Sequence, residues 1–304
     1  MKSRLSNRSL ATRLLAVTAL AGLLAAVYIL AIRPSQLRWG ATPEEVTRAT
    51  PGDELVPSPT FCATRAITIR GTPRDIWPWL IQMGYRRAGF YGYDLIENIG
   101  SERGIRSADS ILPEFQHPTT GDVLPISAVA SMAFDSIQAN SYLVWRGTAI
   151  IPSDGSLVWA LYPTDANHTR LVSRVRLHYH WTDWRLLALD LFTEFGDHVA
   201  VPRILLGIKD RVEGQTPQPI AEEAIEIAVW LLSLAEFAAA IVFVFRCNRW
   251  GYAWLLGLAA GLLLLFALYA HEQVWMSAAI STFIFAGMLL LSLLSPSKAN
   301  DHEF

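Results

Sequence analysis

The sequence predicts an α+β domain, in which a curved antiparallel sheet closes around a long C-terminal helix, joined to four transmembrane helices, one N-terminal and three C-terminal. Three observations carry this. The 304 residues are 52% hydrophobic and only 17% charged, with a mean hydropathy of +0.29, too apolar for an ordinary soluble globule. The apolar residues gather in four runs. Between the first run and the other three lie roughly 180 residues of ordinary composition, enough to bury a core of their own. With 25 Lys and Arg against 27 Asp and Glu, there is no cationic surplus to neutralise a phosphate backbone, and nucleic acid is not expected as a partner.

Residues 14–32 contain no charge and are rich in Leu and Ala, which matches the ~20 residues a helix needs to cross ~30 Å of hydrocarbon. A cleaved signal peptide is the competing reading, since Lys2, Arg4, Arg8 and Arg13 precede the run. The apolar stretch is too long for that, and no small-x-small site follows Ile32. Three further runs, 227–245, 250–270 and 274–295, are linked by Arg246-Cys247-Asn248-Arg249 and His271-Glu272-Gln273. Basic residues before the first span and in one short loop put both termini in the cytoplasm and the middle domain outside. Cys62 and Cys247 then fall on opposite sides and cannot pair. Trp250, Tyr252, Trp254, Tyr269 and Trp275 sit at span ends as interfacial anchors. Glu236 is the one charged residue well inside a span. It reads either as a proton or ligand contact or as a protonated carboxyl bonded to Ser or backbone.

In the middle domain, residues 33–60 carry five prolines and read as an extended linker, with one short helix opened by Thr42-Pro43-Glu44-Glu45. Alternation over 61–69 predicts a strand. Thr72-Pro73-Arg74-Asp75 then starts a helix carrying Ile76, Trp77, Trp79, Leu80, Ile81 and Met83, stopped by Gly84 and made irregular by Pro78. Short strands are expected at 122–126, 132–138, 142–150, 157–162 and 170–181, the last two joined through Thr164-Asp165-Ala166-Asn167. In the last strand Leu171, Ser173, Val175, Leu177, Tyr179 and Trp181 form the buried face. Val172, Arg174, Arg176, His178 and His180 form the solvated one. A helix over 186–213 follows, kinked or split at Pro202. The domain boundaries are therefore 1–33 for the tail and first span, 34–216 for the α+β domain, 217–296 for the three-helix bundle and 297–304 for the tail.

This order resembles the START-like, or SRPBCC, helix-grip superfamily of polyketide cyclases/dehydrases, lipid-transport domains and pathogenesis-related allergens, most closely a bacterial membrane-attached subgroup. The residues that carry the resemblance are Arg38-Trp39-Gly40-Ala41-Thr42, Asp53-Glu54-Leu55-Val56-Pro57, 76–84 (Ile-Trp-Pro-Trp-Leu-Ile-Gln-Met-Gly) and 89–98 (Gly-Phe-Tyr-Gly-Tyr-Asp-Leu-Ile-Glu-Asn). Ser107-Ala108-Asp109 to Pro113-Glu114, Gly121-Asp122 and Leu206-Gly207-Ile208-Lys209 continue it. It covers about 38–213. The resemblance implies a ligand cavity between the sheet and the long helix, lined by aromatics such as Trp79 and Trp159.

Tyr91, Tyr93, Asp94, Glu97 and Asn98 form the densest polar and aromatic cluster of the domain. Their spacing puts Asp94, Glu97 and Asn98 on one side of a helical turn, where they either orient a ligand hydroxyl or carbonyl or cap the helix and pair with Arg86, Arg87 or Arg106. The expected ligand-binding residues are Trp79, Tyr91, Tyr93, Asp94, Glu97, Asn98 and Trp159. His178 and His180 on one strand, with Glu194, Asp197 and His198 beyond, lack a defined third ligand and share a face with Arg174 and Arg176, so no metal is expected. No G-x-S-x-G elbow and no Gly-rich phosphate motif occurs, and no cofactor is expected. The leading expectation is membrane-anchored binding of a hydrophobic small molecule or lipid. The rivals are a cyclase/dehydrase-like enzyme using a cavity carboxylate or His, and a sensory or interaction module coupled to the bundle through Glu236.

Overall fold

A computed structural model describes residues 7–148, 155–179, 183–269 and 273–294. In chain order these form α1 (Asn7–Val27), a π turn (Tyr28–Ile32), α2 (Arg33–Gln36), α3 (Pro43–Thr47), β1 (Phe61–Arg70), α4 (Pro73–Gln82), α5 (Asp94–Glu97), β2 (Val123–Pro125), β3 (Ser131–Gln138), β4 (Tyr142–Gly147), β5 (Gly155–Pro163), β6 (His168–Leu177), α6 (Trp184–Val212), α7 (Ile220–Arg246), α8 (Trp250–Tyr269) and α9 (Val274–Leu293). The chain divides into two compact units, Pro34–Glu223 and the remainder.

In the first unit the strands form a six-stranded sheet in the order β1-β6-β5-β4-β3-β2, antiparallel throughout. Register decides which side chains face α6. Ile67 pairs with Leu171 and Leu171 with Leu161. Trp159 pairs with Leu143, and Trp145 with Phe134. These positions share one face, and their side chains pack with Ile76 and Leu80 of α4 and with Val201, Ile204, Leu205 and Ile208 of α6 in one buried cluster. This is the helix-grip arrangement: α4 and α6 lie on one face of an antiparallel sheet, which buries the apolar stripe of both. α6 runs without a break through Pro202, so the expected split there does not occur. α4 likewise continues through Pro78 and opens with a Thr72–Asp75 capping box.

The opposite sheet face differs from expectation. Residues 36–57 do not form an extended linker. They fold across that face and bury Arg174, which is 3% exposed. Its guanidinium donates to Thr64 Oγ1 (2.9 Å), the Arg48 carbonyl (2.7 Å), Asp53 Oδ2 (2.9 Å) and the carbonyls of Glu45 (2.7 Å) and Val46 (3.0 Å). Arg170 pairs with Glu45 at 2.7 Å, and Arg176 donates to the Val56 carbonyl at 3.0 Å. An arginine carries five donors in a fixed fork, and this coil supplies the acceptors, so a face that looks solvated by residue type is covered. The Thr42–Glu45 capping box holds α3 in place for this contact.

Among the described residues four helices are long and apolar enough to cross a membrane, Ser9–Gln36, Ile220–Arg246, Trp250–Tyr269 and Val274–Leu293, and the second unit holds most of each. Small residues let their backbones approach. Gly257 stands against Ala240 and Leu20, and Gly261 against Leu24. Arg13 is 5% exposed and donates to the Val244 carbonyl at 2.8 Å, one of the last carbonyls of α7, where a helix terminus favours a cation. The π turn before Pro34 closes with the Arg33 amide on the Tyr28 carbonyl, a widening of the helix just before a residue that lacks an amide donor. Residues 295–304, 270–272 and 180–182, including His180, Trp181, His271 and Glu272, lie outside the described residues.

Candidate functional site

Two groups of polar residues are assembled on the α6 side of the sheet. The first is the belt between α4 and β2. Gln82, fully buried at the end of α4, donates to Tyr91 Oη (2.9 Å), and its Oε1 accepts from the Leu112 amide (2.9 Å) and Gln116 Nε2 (3.1 Å). Tyr91 Oη donates on to the Trp79 carbonyl at 3.1 Å. Tyr91 holds a φ of 68°, rare for an aromatic residue. Its amide donates to Ser107 Oγ at 3.1 Å, the Arg211 guanidinium lies 4.5 Å over its ring, and Trp79 meets the ring edge-on at 5.8 Å. Burial holds the hydroxyl above the usual tyrosine range, so it stays neutral and serves as donor and acceptor together. α6 passes so close that a Cβ on Gly207 would strike the Tyr91 carbonyl.

Beside it, Asp94 Oδ1 accepts from the Ser107 amide (3.0 Å), Ser107 Oγ (2.6 Å) and Asn98 Nδ2 (3.2 Å). Glu97 turns back on the chain and accepts from the Gly92 amide at 3.2 Å. Its Oε1 is buried without a partner. Burial pushes the Glu97 carboxyl up to about 8, the charges of Asp94 and Glu223 adding to it while the Tyr93 and Gly92 amides oppose it. Arg87 donates to the carbonyls of Met83 and Ile81, and Arg86 stands 3.9 Å from Glu102.

The second group is a row across the sheet. Arg65 of β1 pairs with Ser173 of β6, which pairs with Trp159 of β5. Directly paired residues point to the same face. Arg65 is 0% exposed. It donates through Nε to the Gln36 carbonyl (2.8 Å) and through Nη2 to Asp197 Oδ2 (2.6 Å), while Nη1 has no partner among the described residues. Ser173 Oγ, Trp159 Nε1 and Trp145 Nε1 are also buried without partners among the described residues, the two indoles 5.8 Å apart and edge-on. His198 of α6 follows Asp197 and is fully buried. Its Nδ1 donates to the Glu194 carbonyl at 2.7 Å, leaving Nε2 as an acceptor with no partner. Burial, with the Arg65 charge, lowers its pKa and keeps the ring neutral. Buried polar atoms are nearly always paired, and five unpaired ones joined through a single row of contacts set this region apart.

Trp79, Tyr91 and Trp159 share the buried cluster under α6. Tyr93 is buried beneath the Arg203 guanidinium, 5.9 Å from its ring. Asp94 and Asn98 bond to Ser107, Glu97 bonds to the belt's own amides, and Glu236 belongs to the helical unit. Arg65 and Trp145 belong to no motif, while Ser173 falls on the expected buried strand face and Gln82 within the 76–84 stretch. Arg65 did leave a signal: in the series Phe61, Ala63, Arg65, Ile67, Ile69 it is the one charge at an inward position of the strand. Among the described residues no group of three His, Cys, Asp or Glu side chains is placed to hold a metal ion. His178 Nδ1 lies 3.3 Å from the Ser58 carbonyl.

No protein-family model and no curated protein matches the chain. Solved structures similar to it include a crystal structure of a Mesorhizobium loti protein, 16% identical over 51% of this chain and 99% of that one, with a TM-score of 0.33. A solution structure of a polyketide-cyclase-like protein from Corynebacterium glutamicum is 10% identical over 50% of this chain and 91% of that one, at 0.33. A conserved protein of unknown function from Enterococcus faecalis is 17% identical over 55% and 82%, at 0.27. The chain joins an α+β unit carrying this buried polar row to four helices, among the described residues, that are long and apolar enough to cross a membrane.

Proposed function

We infer that the helix-grip unit binds an amphiphilic small molecule or lipid, its apolar body among Trp79, Trp145, Trp159 and Leu205 and its oxygen-bearing end at Arg65 Nη1, Ser173 Oγ and the tryptophan N–H groups. The observation that carries this is the row of buried polar atoms without partners. Most of them are donors, so they call for a ligand acceptor such as a carboxylate or carbonyl. An unmade bond on a buried donor costs about 1–3 kcal/mol, and a ligand oxygen would recover it. Aromatic rings occupy the space between sheet and α6, so the ligand displaces them and tryptophan fluorescence reports binding. Four apolar helices keep the unit beside the bilayer in which such a ligand dissolves. The basic residues before the first span and at Arg246 and Arg249 support an orientation with both termini in the cytoplasm and the unit on the outer side of the membrane.

The test is titration of the purified full-length protein with oleate, followed by tryptophan emission, against the double variant Arg65→Met/Asp197→Asn, which removes both members of the ion pair. Saturable quenching in the wild type, weakened at least about tenfold in the double variant, supports the reading. No saturable change, or equal affinity in both proteins, overturns it.

A second reading is favoured by Glu97, whose carboxyl is held near 8 and so carries a proton at neutral pH. As a cyclase/dehydrase-like catalyst the unit would use Glu97 as proton donor. Turnover of a bound ligand, lost in Glu97→Gln with binding retained, would select it.

A further inference from the structure

Within the helical unit Ser233, Glu236 and Ser281 are 0%, 3% and 0% exposed. Ser281 Oγ of α9 donates to Glu236 Oε1 at 3.0 Å. Among the described residues Glu236 Oε2 has no partner, nor has Ser233 Oγ one turn earlier on α7. At Glu236 a groove of about 310 Å³ runs between α7 and α9, with Glu236 in its wall and Phe243, Phe285 and Met288 along it. None of the residues lining the groove is basic. One serine hydroxyl meets only part of a carboxylate's acceptor capacity, and an intramembrane carboxylate left so is expensive. An apolar slot with one uncompensated acidic group suits a single chemistry, a cation carried on an apolar body.

We propose that this groove binds a lipophilic amine drawn from the bilayer. Its protonated nitrogen sits on Glu236 Oε2, and its chain lies against Phe243, Phe285 and Met288, the rings of the two phenylalanines also favouring a cation. The site is separate from the row at Arg65 and stands whether or not that row binds a ligand.

The experiment uses the full chain in phosphatidylcholine vesicles, photolabelled with a diazirine-bearing dodecylamine and, in parallel, with the matching dodecanol. Labelled residues are mapped by mass spectrometry. The amine is expected to label residues of the groove, and labelling to fall at least about tenfold in Glu236→Gln, which keeps the bond from Ser281 and removes the charge. Ala239→Leu fills the groove while leaving the carboxylate in place, and is expected to abolish labelling too, so the test survives if one variant folds poorly. Equal amine labelling of wild type and a folded Glu236→Gln overturns the proposal, as does dodecanol labelling the groove as strongly as the amine.

Discussion

Arg65 and Asp197 meet at 2.6 Å with side-chain exposures of 1% and 9%, an ion pair that ties the middle of β1 to α6 on the face where the ligand is proposed to sit. Removing one partner leaves the other charged and buried, which costs ~3–5 kcal/mol, while replacing both by neutral side chains of similar size is often nearly neutral. Arg65→Met alone should therefore lower the melting temperature of the detergent-solubilised protein sharply, and Arg65→Met/Asp197→Asn should recover most of the loss. Equal destabilisation by the single and double variants would show that the pair is not coupled.

Gly207→Ala tests the contact between α6 and the belt. On an ordinary helix this change is favourable by up to ~1 kcal/mol. Here the added methyl strikes the Tyr91 carbonyl, and overpacking of this kind costs about 1–3 kcal/mol. The melting temperature should fall, and Gly196→Ala, on the same helix with open space around it, should not lower it.

Glu97 gives a pH dependence with a definite sign. Its carboxyl, held up to about 8 by burial against a usual value of 4.5, binds its proton more tightly in the folded state than in the unfolded one. That contribution is fully present below pH 4.5 and is lost as pH rises through about 8. Glu97→Gln removes the titration, so its melting temperature relative to wild type should rise between pH 5 and pH 9. A constant difference across that range would mean that the carboxyl titrates normally. His198 works in the opposite sense: its lowered pKa makes folding less favourable as pH drops through the usual histidine range, and comparison of the two proteins cancels that effect.

The proposed orientation is checked by thiol labelling of intact cells with a membrane-impermeant maleimide. Cys62 is exposed and Cys247 is buried, so protection of Cys247 reports packing rather than sidedness. In a Cys247→Ala background, Cys62 should label in intact cells, whereas Cys62→Ala/Cys247→Ala/Asn248→Cys should label only after lysis. The reverse pattern would invert the topology.

The spans, the strand periodicity and the helix starts were legible because their signals are local. Uninterrupted apolar length, alternation along β1 and β6, and the Thr-Pro starts before α3 and α4 each concern residues within one turn or one strand. Arg174 was misjudged as solvated because side-chain type says nothing of what lies above it. Its cover comes from Glu45, Val46, Arg48 and Asp53, more than a hundred residues away in the chain. Pro202 reads as a point where α6 kinks or splits, and the split does not occur, because packing of Val201, Ile204, Leu205 and Ile208 into the core outweighs one missing backbone bond.

By itself the amino-acid order determined the α+β class, four membrane-length helices and the cluster from Tyr91 to Asn98, since each follows from composition and short-range spacing. Only the tertiary structure decided that Asp94 and Glu97 serve the belt's own backbone, that Arg65, Ser173, Trp159 and His198 gather with unpaired atoms beneath α6, and that Glu236 meets Ser281 beside a groove. Each of these depends on register and on the packing of distant segments, where whether a polar atom finds a partner is settled by three-dimensional neighbours rather than by its place in the chain.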